Sequence, residues 1–481
     1  MLMPFLRNGP GIWGAVTLFF MLVVAGALSW CLFHTPLTLH DGLGPILDAQ
    51  AAASAYDMFM SGLWSRGYLR PLRLAQVKWV FDLSSGHYFA AYKAVHAGLV
   101  LLTFVLFARV LRVRTPIEFV AATVATMVLV GHHAFFMLVG EAYPINHFIE
   151  ILALVLLVVG LARGRPGWLP DLSAVLALAI AVLVIESGLL VWVAIVSCYL
   201  LGWRGLSRRA LVATSVLVAG YLYLRFAVIH VGGPGLDERA SGFLLERLEP
   251  AQLIARFGDN PLPFYAYNVA SAFSTVFLSE PRGGVWTVVR AWLDGHLQPW
   301  MVFHVVSSAL ATLVVVGLVL GRWRRYVGRQ FGDADRLMLL GLMMAGANAV
   351  MSYAYLKDEV LSVAAAFYAS AVFAAVAEIG RWWVARPRRL LPAFCLVSVL
   401  AVVSCLWTTR AAGCFYNLRS FASKVSADWA DHSLADDFPE MAASPDAVRL
   451  YDTLRREALD LRTPHAHFTD ERHVQRFIEI R

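Results

Sequence analysis

The stretch IWGAVTLFFMLVVAGALSWCLF, Ile12 to Phe33, runs for 22 residues without a charged side chain. A helix rises 1.5 Å per residue, so roughly 20 such residues cover the hydrocarbon core of a bilayer. Phe119 to Val139 repeats the pattern over 21 residues. Both runs read as membrane-spanning helices. The first is longer than the apolar region of a signal peptide, only Arg7 precedes it, and no small-x-small cleavage pattern follows at His34 to Leu39, so it reads as a retained span.

The composition agrees with those two runs. Of 481 residues, 59% are apolar and 15% charged, against about 45–50% and about 25% in a soluble domain. Length alone would suggest about three water-facing domains, but the charged residues are too few to coat them. The expectation is an all-α polytopic membrane protein of about 11 spans. These lie near 12–33, 89–108, 119–139, 145–162, 172–185, 189–201, 210–229, 301–320, 337–355, 360–376 and 390–407. The fifth and sixth are short and read as a helical hairpin turning at Glu186, Ser187 and Gly188.

Charge placement orients the spans. The net charge of +7 would suit a nucleic-acid binder, yet eighteen of the forty basic residues collect in short connections on one side. They are Arg7; Arg109, Arg112, Arg114; Arg163, Arg165; Arg204, Arg208, Arg209; Arg322, Arg324, Arg325, Arg329, Arg336; and Arg381, Arg386, Arg388, Arg389. This is the positive-inside bias. It puts the N-terminus in the cytoplasm and the C-terminus outside, and it leaves no case for a nucleic-acid partner. The Ala, Val, Leu and Arg richness with four lysines suggests a GC-rich bacterial genome, hence an inner (plasma) membrane and a periplasmic outer face. Five scattered cysteines form no CxxC or Cys/His cluster, so neither a disulfide framework nor a zinc site is expected.

Residues 1–409 therefore read as a transmembrane domain with external loops at about 34–88 and 232–300, and 410–481 as a small external segment. The first loop holds an amphipathic stretch, Asp48 to Trp64, expected to lie on the outer leaflet. In the second, Phe264 to Leu278 is apolar enough to span. A span there would place five downstream arginines outside, so a re-entrant or interfacial helix is expected.

Polar residues cost most at membrane depth, which makes them functional candidates. Here Asp41, Lys93, His96, His132, His133, Glu141, His147, Glu150, Glu186, Arg225, Lys357, Asp358 and Glu359 all fall at the outer ends. An external cavity follows. Asp41, in TPLTLHDGLGP, could take a proton from a hydroxyl or simply cap a turn. In VGEAYPINHFIE, His147 and Glu150 are i, i+3 neighbours that could meet one ligand or a divalent cation, or only start a helix. Arg70 and Arg73 of GYLRPLR, with Arg225, carry the planar fork that suits phosphate, or snorkel to headgroups. Glu186 reads as a partner for one of these arginines. No Walker loop, GxGxxG after a strand, HExxH or GxSxG occurs, which argues against nucleotide cofactors, zinc proteolysis and serine hydrolysis.

The order of elements resembles the GT-C superfamily of polytopic glycosyltransferases, in the branch of protein-mannosyltransferase-like, polyprenyl-phosphate-sugar-dependent enzymes. The similarity covers roughly residues 12–320. It rests on HDGLG, YLRPLRLAQVKWVF, HYFAAYKAVHAGLVLLTFVLFARVLR, GEAYPINHF, AVLVIESGLLVWVAIVSCYLLGW and GDNPLPFYAYNVASAFSTVFLSEP. The resemblance implies transfer of a hexose or pentose from a polyprenyl-phosphate donor to a glycan, lipid or protein acceptor at the outer face of the bilayer. It makes Asp41 and Glu141 catalytic, with Asp41 as base. It gives Arg70 and His147 to substrate and places its hairpin acid at Glu186; Arg225, Lys93 and Lys357 join the substrate set, and Glu186 takes a supporting role, on the reading of the residues themselves. A Mg or Mn ion would sit on Asp41, Glu141 and His147. Many relatives pair acids in the first loop, whereas here His40 precedes Asp41 and the next acid is Asp48. The competing class is a glycolipid flippase or transporter with the same outer cavity and no covalent chemistry.

Overall fold

A computed structural model describes residues 11–64, 68–140, 144–231, 235–237, 239–278, 285–328, 330–385 and 390–461. The first half of the chain forms α1 (Ile12–Phe33), α2 (Leu39–Ala51), α3 (Ala55–Leu63), α4 (Pro71–Leu83), α5 (Tyr88–Leu111), α6 (Pro116–Gly131), α7 (His133–Gly140), α8 (His147–Ala162), α9 (Trp168–Val184), α10 (Leu189–Leu200) and α11 (Arg208–Tyr223). Then come β1 (Ser241–Phe243), β2 (Glu246–Leu248), α12 (Pro250–Phe257), α13 (Leu262–Leu278), α14 (Val285–Leu293), α15 (Pro299–Gly321) and α16 (Trp323–Val327). The chain continues through α17 (Asp333–Met351), α18 (Ser362–Val384), α19 (Leu390–Asp431), α20 (Leu434–Asp437) and α21 (Pro445–Asp460).

This is a helical membrane protein. Among the described residues, seven helices are long and apolar enough to cross a membrane, or eight if α6 and α7, bent by 66°, count as one broken span. The remaining three expected spans fall on the shorter apolar helices His147–Ala162, Trp168–Val184 and Glu186–Leu200. Helix α13 lies against α17, α15 and α18, and its polar side chains Asn268, Ser271 and Thr275 are buried on one face. The i, i+3, i+7 spacing makes this helix amphipathic toward the bundle. The two-stranded hairpin β1–β2 was not expected from sequence. Its turn bends through Leu244, which takes a positive φ of 52°.

Helix α18 is the centre. Its apolar window is 94% buried, and alanines at 364, 365, 366, 369, 371, 374, 375 and 377 line it. Small side chains let neighbouring helices approach closely where lipid supplies no hydrophobic drive between them. A Cβ on Gly341 of α17 would stand 2.9 Å from the Phe367 carbonyl oxygen. That backbone approach explains the glycine.

The amphipathic stretch forms two helices rather than one. Ser54 accepts the Asp57 amide at 3.1 Å and starts α3 afresh. Asp41 consequently sits in the first turn of α2. The boundary expected at 409–410 falls inside α19, which runs on unbroken to Asp431. The apolar side of α2 is then covered by the chain's end: Leu43, Ile46 and Leu47 cluster with Val425, Trp429, Leu450 and Leu454. Trp429 Nε1 donates to the Leu37 carbonyl at 2.7 Å, and Glu457 accepts the Tyr88 and Phe89 amides at 3.2 and 2.7 Å. Partial burial pushes the Glu457 carboxyl up, and the two amide bonds oppose that shift.

The arginine-rich end is cross-linked. Arg163 pairs with Asp333 and donates to the Val110 carbonyl. Arg322 bridges Asp335, at 2.9 Å, and Glu378. Asp335 also accepts from Tyr326 Oη at 3.1 Å and the Gly332 amide at 2.9 Å, and its side chain is 2% exposed. Asp335→Ala should destabilise the fold by about 1–3 kcal/mol, because three donors lose one acceptor. Thermal unfolding in detergent reads this directly; an unchanged midpoint would show that the network contributes nothing.

Candidate functional site

A cavity of about 650 Å³ opens at the end opposite the arginine network. Asp41, projecting from the first turn of α2, forms one wall, and the turn Tyr355–Leu356–Lys357 ahead of α18 forms another. The hairpin closes a third side with Arg239, Glu246 and Arg247, while α13 and α14 add Tyr267, Trp286 and Arg290. Asn268 fixes the floor: its Nδ2 donates to the carbonyls of Tyr353 and Ala354 at 2.9 and 3.1 Å. The turn carrying Lys357 is thereby tied to α13. Lys357 itself contacts buried Glu359 at 3.4 Å.

Of the residues singled out from sequence, Asp41 and Lys357 meet in this cavity. The arginines of the hairpin and α14 were missed. Nothing in a loop sequence tells which of its basic residues face inward, since that depends on a two-residue turn and on where α14 docks.

Arg70, Glu186 and Arg225 form a separate cluster at the same end. Arg70 Nε and Nη2 both donate to Glu186 Oε2, at 3.0 and 2.8 Å. Arg225 Nη1 lies 3.1 Å from Glu186 Oε1 and 3.0 Å from Tyr221 Oη. One carboxylate thus serves two guanidiniums, not the single partner expected. Two positive charges against one negative leave the cluster cationic. Arg70 also stacks over Tyr68 at 4.1 Å. The chain passes Arg225 in a short π-helical turn, Leu224–Val228. Such turns break the regular ladder and are common at functional sites.

His147 and Glu150 do meet, at 3.3 Å, and Gln76 Nε2 donates to the other Glu150 oxygen at 2.9 Å. Asn146 starts this helix by accepting the Phe148 amide at 3.0 Å. Arg73 and Arg70 lie within electrostatic range of His147. Lys93 is fully buried, its ammonium 3.5 Å from the Pro36 carbonyl. Glu141 lies outside the described residues. Among the described residues, no three His, Cys, Asp or Glu side chains gather as a metal set. Asp41 faces the cavity, while His147 is engaged by Glu150.

A polar seam also runs inward from the cavity. The α6–α7 break falls at His132, which stacks on His133 with centroids 4.8 Å apart. His133 Nδ1 faces Asp358 Oδ1 at 3.2 Å, both side chains almost wholly buried. Deeper still, Arg410 donates to the Gly131 carbonyl and to Ser307 and Ser308 Oγ at 3.1, 2.9 and 2.8 Å. The signal for this seam was legible as two adjacent histidines inside an apolar run.

Glu186→Gln should cost more than Arg70→Gln, by about 1–3 kcal/mol, because it strands two guanidiniums while the latter keeps the Glu186–Arg225 pair. Comparing the unfolding midpoints of the two variants tests this; equal losses would deny the shared carboxylate its role. No protein family, curated protein or solved structure matches this chain significantly.

Proposed function

We propose that the chain is a membrane glycosyltransferase that moves a sugar from a polyprenyl-phosphate donor to an acceptor hydroxyl. The observation that carries this reading is the exposed Asp41 carboxylate set in a polar cavity at the end of the bundle away from the arginine network. By the positive-inside rule that end is periplasmic and the N-terminus cytoplasmic, in a bacterial inner membrane. Exposed Leu262, Trp292 and Leu293 on the helices bordering the cavity suit contact with the bilayer that delivers a lipid-linked sugar.

The step is an inverting displacement. Asp41 takes the proton of the acceptor hydroxyl as that oxygen attacks the anomeric carbon. The bond from anomeric carbon to phosphate oxygen breaks, and its electron pair leaves with the polyprenyl phosphate. The cationic Arg70–Glu186–Arg225 cluster stabilises that phosphate, with Glu186 orienting both guanidinium forks. His147, within electrostatic range of Arg70 and Arg73, and buried Lys93 are assigned to the substrate's surroundings.

Transport of a glycolipid without bond cleavage is the second reading. The broken α6–α7 span and the buried His133–Asp358 pair favour it, since broken helices with interior charges mark transporters. Purified protein given a panel of radiolabelled polyprenyl-phosphate sugars separates the two. Label appearing on an acceptor is the expected outcome, whereas label crossing a vesicle bilayer with its bond intact would establish the transporter. Asp41→Asn should lower turnover by about 100-fold or more with an unaltered unfolding midpoint. Full activity in that variant would sink the assignment of the base.

A further inference from the structure

The cavity beside Asp41 is more basic than a neutral acceptor requires. Arg239, Arg247, Arg290 and Lys357 line it against two carboxylates, Asp41 and Glu246. Glu246 is drawn aside to Arg256, at 3.3 Å, and Lys357 leans on Glu359. Arg247 makes a loose contact with Glu249, at 3.8 Å on the exposed surface. Arg239 lies over the Tyr355 ring, its guanidinium carbon 4.9 Å from the ring centroid. Arg290 reaches the same cavity from α14. Guanidiniums presented this way match carboxylate and phosphate groups.

The remaining lining suits a saccharide. Tyr267 and Trp286 are roughly parallel, with centroids 6.4 Å apart and planes at 26°. Flat aromatic faces take the C–H side of a sugar ring, leaving its hydroxyls to polar neighbours. Those neighbours are present as Ser241, Asn268, Ser271 and Thr287. A lipid chain would need an apolar groove, and this lining is half polar. The donor phosphate has its own cationic cluster at Arg70 and Arg225, so the cavity's charge answers to a different group.

We propose that the cavity binds an acidic saccharide, a glycan bearing carboxylate or phosphate groups, as the acceptor in the transfer. Arg239 and Arg290 hold its negative groups, Tyr267 and Trp286 hold a ring, and Asp41 meets the hydroxyl. The assignment rests on the transferase reading, but its ligand class is tested by binding alone.

Calorimetric titration of the full-length protein in detergent would compare a hexuronate oligosaccharide with a neutral hexose oligosaccharide of equal length. The acidic probe should bind about tenfold or more tightly than the neutral one and weaken as salt rises. Arg239→Gln and Arg290→Gln should each lower that affinity by about threefold to tenfold while leaving gel-filtration behaviour and the unfolding midpoint unchanged. Equal binding of the two oligosaccharides, binding of neither, or unchanged affinity in the double variant would overturn the proposal. So would binding confined to vesicles of anionic phospholipid. Label transfer to neutral glycans with no hexuronate binding would remove the acidic acceptor and keep the transferase. Hexuronate binding with no transfer from any polyprenyl-phosphate sugar would remove the transferase and keep the ligand class.

Discussion

A charged group that this chain places beside hydrocarbon has to find its partner inside the protein, because lipid offers none. That single constraint organises both ends of the bundle. At one end Asp333, Asp335 and Glu378 gather arginines from separate helices, so these basic connections lock helix ends together. At the other, Glu186 collects Arg70 and Arg225 from elements more than a hundred residues apart in sequence. Between them α18 packs through alanine, and its lack of bulk draws α17 within backbone contact.

The cavity depends on this frame. Its Asp41 wall is carried by a helix whose apolar side is covered by Val425, Trp429 and Leu450. Helices α19 and α21 therefore support the start of the chain's polar region, α19 through the Trp429–Leu37 hydrogen bond just ahead of α2 and α21 through the Glu457 contact with the start of α5. The segment after residue 409 is an extension of a spanning helix that folds back on the site. Its core is small, as expected for a piece of that length, and it borrows most of its apolar surface from α2 and α5.

Much of this was readable in advance because it depends on local pattern. Uncharged runs of about 20 residues dictate helices in lipid; each of the eleven expected positions is helical, and seven or eight of them are long and apolar enough to span. Ser54 shows where a local pattern misled: an amphipathic stretch looked continuous, while a serine capable of capping restarted the helix in its middle. Asp41 and Lys357 were found because charges at the ends of apolar runs stand out. Arg239 and Arg290 were not, since in a polar loop every arginine looks alike.

Sequence by itself determined the membrane class and the helical positions, and it singled out the polar residues that stand at the ends of apolar runs. These follow from hydropathy and charge, which act residue by residue. Only the tertiary structure decided that Glu186 holds two arginines, that the span at His132 is broken around a buried polar seam, and that a hairpin turns basic side chains over Asp41. Those outcomes depend on distances between segments remote in the chain, and such distances are set by packing, which no single stretch contains.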